Sequence, residues 1–122
     1  METTQRKIEL PETAEGEIYV GLLGDRDGNA YHLVLLPGDD GERNWKDSKE
    51  WAASIGGDLP DRLEQAMLWA NCRSEFKRDW YWSSEAEGSG WAWCQFFLYG
   101  GQYHGAQSTR FRARAVRRLS IQ

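Results

Sequence analysis

Proline and cysteine are both scarce, at three and two residues in 122. Two cysteines cannot staple a chain of this length into a disulfide scaffold, and in the absence of a secretion signal Cys72 and Cys94 are expected as free, buried thiols. No Pro-, Gly- or Ser-rich linker divides the chain, and two domains would each be too small to bury a good core. No apolar run approaches the roughly 18 residues that a membrane helix needs, and residues 1–17 are polar, without the apolar centre of a signal peptide. A chain that is made in the cytoplasm and stays soluble, with no membrane partner, is the expectation. Residues 1–16 read as a flexible lead-in and 17–122 as a single domain.

Long runs of one charge are also missing, and the net charge of -4 argues against a dedicated nucleic-acid binder. Mean hydropathy is low, at -0.73, yet the seven tryptophans keep the chain in the globular class. Each buried indole can remove about 150–250 Å² from water, so a few large side chains can supply much of a small core.

The first half alternates in the manner of strands. Residues 18–23 (IYVGLL) and 31–36 (YHLVLL) flank Gly24-Asp25-Arg26-Asp27-Gly28-Asn29-Ala30, a hairpin turn built on Asp-Gly and Gly-Asn. The period then changes. Trp45, Trp51, Ala52 and Ile55 can share one face of a helix starting near Asp47 or Ser48, which Gly56-Gly57 ends. A second helix follows Pro60, with Asp61 as N-cap and Glu64 completing a capping box. Leu63, Ala66, Met67 and Ala70 are its expected buried stripe, and it should run out near Phe76. Residues 80–82, 91–98 and 111–116 are aromatic or alternating strands, with glycines 88, 90, 100, 101 and 105 in the turns between them. In the last strand Phe111, Ala113 and Ala115 point one way and Arg110, Arg112 and Arg114 the other. A hairpin, two helices and a β-rich aromatic half predict an α+β domain. Its expected core includes Trp51, Leu63, Met67, Trp82, Trp91, Trp93, Phe97 and Val116.

Several of these elements together resemble one family. Trp51-Ala52, the turn Gly56-Gly57-Asp58-Leu59-Pro60 into a helix, Tyr81-Trp82-Ser83-Ser84-Glu85, Trp91-Ala92-Trp93 and Arg114-Ala115-Val116-Arg117 are similar to the signature of the Lcl C-terminal domain family, named after a collagen-like bacterial adhesin. The resemblance spans about residues 45–118. It departs at Asp61, where Thr is usual and the cap is kept, and at Glu85, where Thr is usual. Members similar to this chain are small prophage-encoded proteins. The resemblance implies a C-type-lectin-like fold, shared with formylglycine-generating enzymes and with the variable receptor-binding proteins of diversity-generating retroelements.

Catalytic and metal signals are weak. The formylglycine-generating relatives use a close cysteine pair, whereas Cys72 and Cys94 fall on a helix and a strand 22 positions apart. A Cys94–His104 pair would lack a third orienting group, and Gly-x-Ser-x-Gly is absent. Asp25, Asp27 and Asn29 mimic the start of a calcium loop. Ala30 stands where that loop needs Gly, however, and Leu36 where it needs Glu. Glu-Pro-Asn and Trp-Asn-Asp sugar-binding motifs are absent, and His32 and His104 do not make a zinc site by themselves. No catalytic residue, metal or cofactor is expected.

Two binding signals remain. Arg110, Arg112, Arg114, Arg117 and Arg118 crowd the C-terminal segment. They form either a patch for a polyanion or a set of arginines that stack on rings and pair with local carboxylates. Between Trp80 and Tyr103 the chain holds more aromatics than two short strands need on one face. Tyr99, Gln102, Tyr103, His104 and Gln107 are the expected partner-facing residues, displayed on Gly-rich loops near 84–90 and 99–109. The leading expectation is a non-catalytic, phage- or prophage-related module that binds a protein or glycan. The rivals are a virion tail or fibre subunit that self-associates, an intracellular inhibitor of a host defence protein, a diversified receptor binder, and an enzyme of the formylglycine-generating type.

Overall fold

Side-chain caps set both helices. In the computed structural model, which describes residues 7–39 and 41–121, the Asn44 side chain accepts from the Asp47 amide and opens α1, Trp45–Ser54. That start lies earlier than expected, because Asn44 rather than Asp47 or Ser48 supplies the cap. Asp61 and Glu64 form the expected capping box at the head of α2, Arg62–Cys72, and a 3-10 turn, Arg73–Glu75, follows it. The strands are β1 Ile18–Gly24, β2 Ala30–Leu35, β3 Glu42–Arg43, β4 Trp80–Ala86, β5 Trp91–Phe96, β6 Gln102–Ala106, β7 Phe111–Arg112 and β8 Val116–Ser120. The chain is therefore α+β.

The strands form two sheets. The first has the order β1-β2-β8 and is antiparallel; the second has the order β3-β7-β4-β5-β6, antiparallel except where β4 meets β7. The β1–β2 turn is closed by Asp25, whose carboxylate accepts from the amides of Asp27 and Asn29 and from the Asn29 side chain. These bonds account for the calcium-like residues as turn chemistry.

The second sheet is covered on both sides. Tyr81 faces α2 and joins Val20, Leu23, Leu33, Leu35, Leu68, Cys72, Phe76, Phe97 and Val116 in one core. Trp82, Ala92 and Cys94 face the other way and join Leu36, Ala52, Leu59, Ala113 and Ala115 in a second. The indole N–H groups of Trp45 and Trp82 donate to the carbonyls of Ser83 and Arg43, so Trp82 is buried and Trp45 half-buried without an orphaned donor. Gly57 lies where the loop between the helices crosses the first sheet. A Cβ there would sit 2.6 Å from Leu36 Cδ1 and 2.7 Å from the Val116 carbonyl oxygen, so only glycine fits.

Four expectations need correction. Leu63 and Trp91 are not core residues, at 59% and 47% exposed. On α2 the buried positions are Glu64, Gln65, Leu68 and Cys72; Ala66 and Ala70 are exposed, and Met67 is half-buried. The helix is thus turned about one position from its apolar stripe. The single strand expected over 111–116 is two strands. Between them Ala113, Arg114 and Ala115 pass from one sheet to the other and are all buried, so their alternation carries no inside-outside meaning. Finally, parts of the expected Gly-rich loops are strand, at 84–86 and 102–106, and Gly105 lies within β6.

Of the remaining expected core, Trp82, Phe97 and Val116 are buried, while Trp51, Met67 and Trp93 are partly buried. Residues 1–6 of the expected lead-in lie outside the described residues. The rest of it bends back to the first sheet, where Ile8, Leu10, Leu22, His32 and Ile121 line a shared hollow. Arg117 ties it down through Glu17 and the Glu12 carbonyl. Among the described residues no helix is long and apolar enough to cross a membrane.

Candidate binding surface

The register of β5 against β6 sorts the expected partner-facing residues. Trp93 lies opposite His104, Cys94 opposite Tyr103 and Gln95 opposite Gln102. Cross-strand partners share a face of a sheet. Gln102 and His104 therefore lie on the α2 side, and Tyr103 on the α1 side. Tyr99 stands on the turn before β6 and is 78% exposed. Gln107 sits at the far end, where its side chain donates to the Trp91 carbonyl. The five residues do not form one site.

Two aromatic surfaces replace it. On the α1 side, Trp80 stacks on Phe96 with centroids 4.5 Å apart and on Phe111 at 5.7 Å, and Tyr103 meets it edge-on at 5.3 Å. On the α2 side, the His104 ring packs edge-on against Trp91 at 5.5 Å and Trp93 at 5.8 Å.

The second surface continues into a cleft of about 550 Å³ between the start of α2 and the β5–β6 hairpin, lined by Arg62, Leu63, Ala66, Trp69, Glu85, Gln95, Gly100 and Gln102. Its polar groups are held in place. The Arg62 guanidinium lies 3.6 Å over the Trp93 ring and donates to Gln102 Oε1. Gln102 donates in turn to the Arg62 carbonyl and to Gln95 Oε1. Gln95 donates to the Gln65 carbonyl, and Gln65 to the Tyr81 carbonyl. Glu85 accepts from the Arg62 amide. This amide chain runs from the buried centre of the sheet to the cleft floor, so rotamers there are fixed before any ligand arrives. Gly100, at φ +82°, lets the turn press on Trp69; a Cβ would come within 2.5 Å of the indole.

Sequence reasoning missed Arg62, Gln65, Trp69 and Gln95. Arg62, Gln65 and Trp69 recur at helical spacing, and Gln95 and Gln102 bracket the turn of a hairpin. Those two patterns could have found them.

No known family's sequence model and no curated protein matches the chain.

The thiols pair neither with each other nor with His104. Cys72 and Cys94 are free and buried in different cores. Cys94 lies opposite Tyr103, so its side chain and that of His104 project from opposite faces of the sheet. Burial pushes the Cys94 thiol up to about 12, and burial followed by the nearby Glu75 raises Cys72. Neither is a thiolate at neutral pH. Among the described residues no group of three or more His, Cys, Asp or Glu side chains is placed to hold a metal ion.

The C-terminal arginines turn inward. Arg112 pairs with Asp79 and Asp39, Arg117 with Glu17, and Arg118 with Glu64 and Asp58. Arg114 is buried over the Phe76 ring and donates to the carbonyls of Glu75 and Leu36. Arg110, which is exposed, donates to the Glu42 carbonyl. All five guanidinium groups are bound to internal partners. Little cationic surface is left there for a polyanion.

Proposed function

We propose that this chain is a non-catalytic, phage- or prophage-related recognition domain with a C-type-lectin-like arrangement, and that its partner is a protein. One observation carries the reading: α2 turns Leu63, Ala66 and Ala70 outward. Leu63 is 59% exposed, while Glu64 beside it is fully buried. A helix that buries Glu and Gln and shows Leu and Ala to water leaves apolar surface that a partner can cover. The rim adds Trp91 and Trp93, the residue type most enriched among binding hot spots, and the preformed Arg62–Gln102 chain lowers the ordering cost of contact. Exposed aliphatic side chains favour a protein over a glycan, which would need stacking rings and hydroxyl partners alone.

The arrangement is supported by the placing of β1 and β8 in one sheet, with two helices and a second sheet in the intervening chain. The non-catalytic reading is supported by thiols that are buried, protonated and separated from His104.

The test is affinity capture from bacterial host extract, comparing the immobilised chain with a Leu63→Asp/Trp93→Ala variant of unchanged circular dichroism. Retention of one protein by the first and not the second is expected. Equal retention by both, or binding confined to a glycan array, would overturn it. A trimer or larger assembly of the chain at micromolar concentration would instead favour a virion accessory subunit, and loss of a measured activity in Cys94→Ser would favour an enzyme.

A further inference from the structure

With the C-terminal arginines engaged internally, cationic surface has to be sought elsewhere, and it is found at the far end of α2. A groove of about 690 Å³ there is lined by Trp69, Arg73, Ser74, Phe76, Arg78, Phe97, Leu98 and Tyr99. Its lining has two guanidinium groups and two hydroxyls, and no carboxylate. Arg73 is exposed and lies 4.2 Å over the Trp69 ring, which fixes the charge beside an aromatic wall. Arg78 is exposed and has no ion pair or hydrogen bond with any described residue. The neighbouring Asp79 is occupied by Arg112. Tyr99 stands at the rim with 78% of its surface open to water.

We propose that this groove binds a short acidic peptide segment that carries an apolar or aromatic side chain. Carboxylates of the peptide would meet Arg73 and Arg78, and its side chain would lie against Tyr99, Leu98 and the edge of Phe97. Two charges and a ring wall suit a short segment better than a long polyanion. Glu75 is exposed next to the groove, and the chain as a whole carries -4, so an extended nucleic acid or sulfated glycan would be repelled beyond the first contacts. Arginine and tyrosine around a partly apolar floor are the composition of protein-binding sites. Trp69 forms one wall of this groove and one wall of the Arg62–Gln102 cleft, so one protein partner can occupy both. In that respect the inference rests on the reading of the chain as a protein binder.

The experiment uses a fluorescent glutamate–tyrosine copolymer and measures polarisation with the whole chain. Binding that weakens as salt is raised is expected. Arg78→Glu should reduce affinity at least about tenfold, as should Tyr99→Ala, whereas Arg110→Glu should leave it unchanged. Melting curves identical to the parent's keep the comparison fair, since neither Arg78 nor Tyr99 is buried. Absence of binding at low salt, equal binding by Arg78→Glu, equal binding of polyglutamate without tyrosine, or tighter binding of heparin or a single-stranded oligonucleotide would each overturn the proposal. The two readings fail separately. Copolymer binding that depends on Arg78, with host-protein capture indifferent to Leu63→Asp/Trp93→Ala, sinks the recognition face and keeps the groove. Capture that depends on the recognition face, with no copolymer binding, does the reverse.

Discussion

The Glu64 carboxylate is entirely out of solvent, and three groups hold it there as an anion. Arg118 donates to both oxygens, Tyr31 donates its hydroxyl, and Glu64 Oε1 accepts from the Asp61 amide in the capping box. Burial raises its pKa, but the bonds from Arg118 and Tyr31 outweigh burial, so the net shift is below the ordinary value of 4.5. The unfolded chain therefore takes up a proton in a pH range where the folded chain does not. The contribution of Glu64 to stability is complete above about pH 4.5 and is lost as pH falls through its lowered folded value. Asp61 works against this. Its pKa is raised, chiefly by burial, so its protonation on acidification favours the folded state. Glu64→Gln should flatten the acid limb of a stability-versus-pH curve from urea unfolding. Glu64→Ala should cost toward the lower end of roughly 3–5 kcal/mol at pH 7, because Arg118 is part-exposed and water can take over some of its charge. An unchanged acid limb in the Gln variant would remove Glu64 from this role.

The same anchors explain why α2 faces the way it does. Glu64 is tied to Arg118 and Gln65 to the Tyr81 carbonyl, and these bonds turn Leu68 and Cys72 inward at the expense of Leu63, Ala66 and Ala70. Leu68→Ala should then cost about 2–5 kcal/mol, and Leu63→Gln no more than about 0.5 kcal/mol, in denaturant melts. Equal costs at the two positions would contradict the orientation. Much of the architecture was legible beforehand, namely the β1–β2 hairpin with its Asp25 turn, the capping box, the sequence of hairpin, two helices and β-rich half, and the α+β class. What apolar periodicity could not reveal is that two polar side chains set the rotation of α2, because their partners Arg118 and Tyr81 are distant in sequence. The split between β7 and β8 was hidden for a related reason. Alternating Arg and Ala reads as one strand, and only the fold buries Arg114 between the carbonyls of Leu36 and Glu75. Of the binding surface, its aromatic content was legible. Its division between two faces depended on the β5–β6 register; Gly88 and Gly90 do lie in the β4–β5 turn, whereas Gly100 and Gly105 serve close packing, as at Gly100 against Trp69.

The molecule as a whole is closed by its last strand. β8 pairs along β2 from Tyr31–Ser120 to Leu35–Val116, the Asp58 and Val116 backbones bond each other, and Arg117 and Arg118 reach Glu17 and Glu64. Truncation after Ala115 should therefore do more than fray an edge. It removes a fully buried Val116, exposes Leu33 and Leu35, and leaves Glu64 buried without its cation. Loss of near-ultraviolet tryptophan circular dichroism and of any cooperative melt is expected. A truncated chain that still melts cooperatively would show that the β1–β2 hairpin, α2 and the second sheet hold without β8.

That closure also bears on how the chain is born. The central strand of the first sheet, β2, is made well before β8, one of its two neighbours. Until Val116–Ser120 emerge, the nascent polypeptide carries an open β2 edge and an unneutralised Glu64. The first sheet must therefore wait for that segment, with chaperones the natural guardians of that interval.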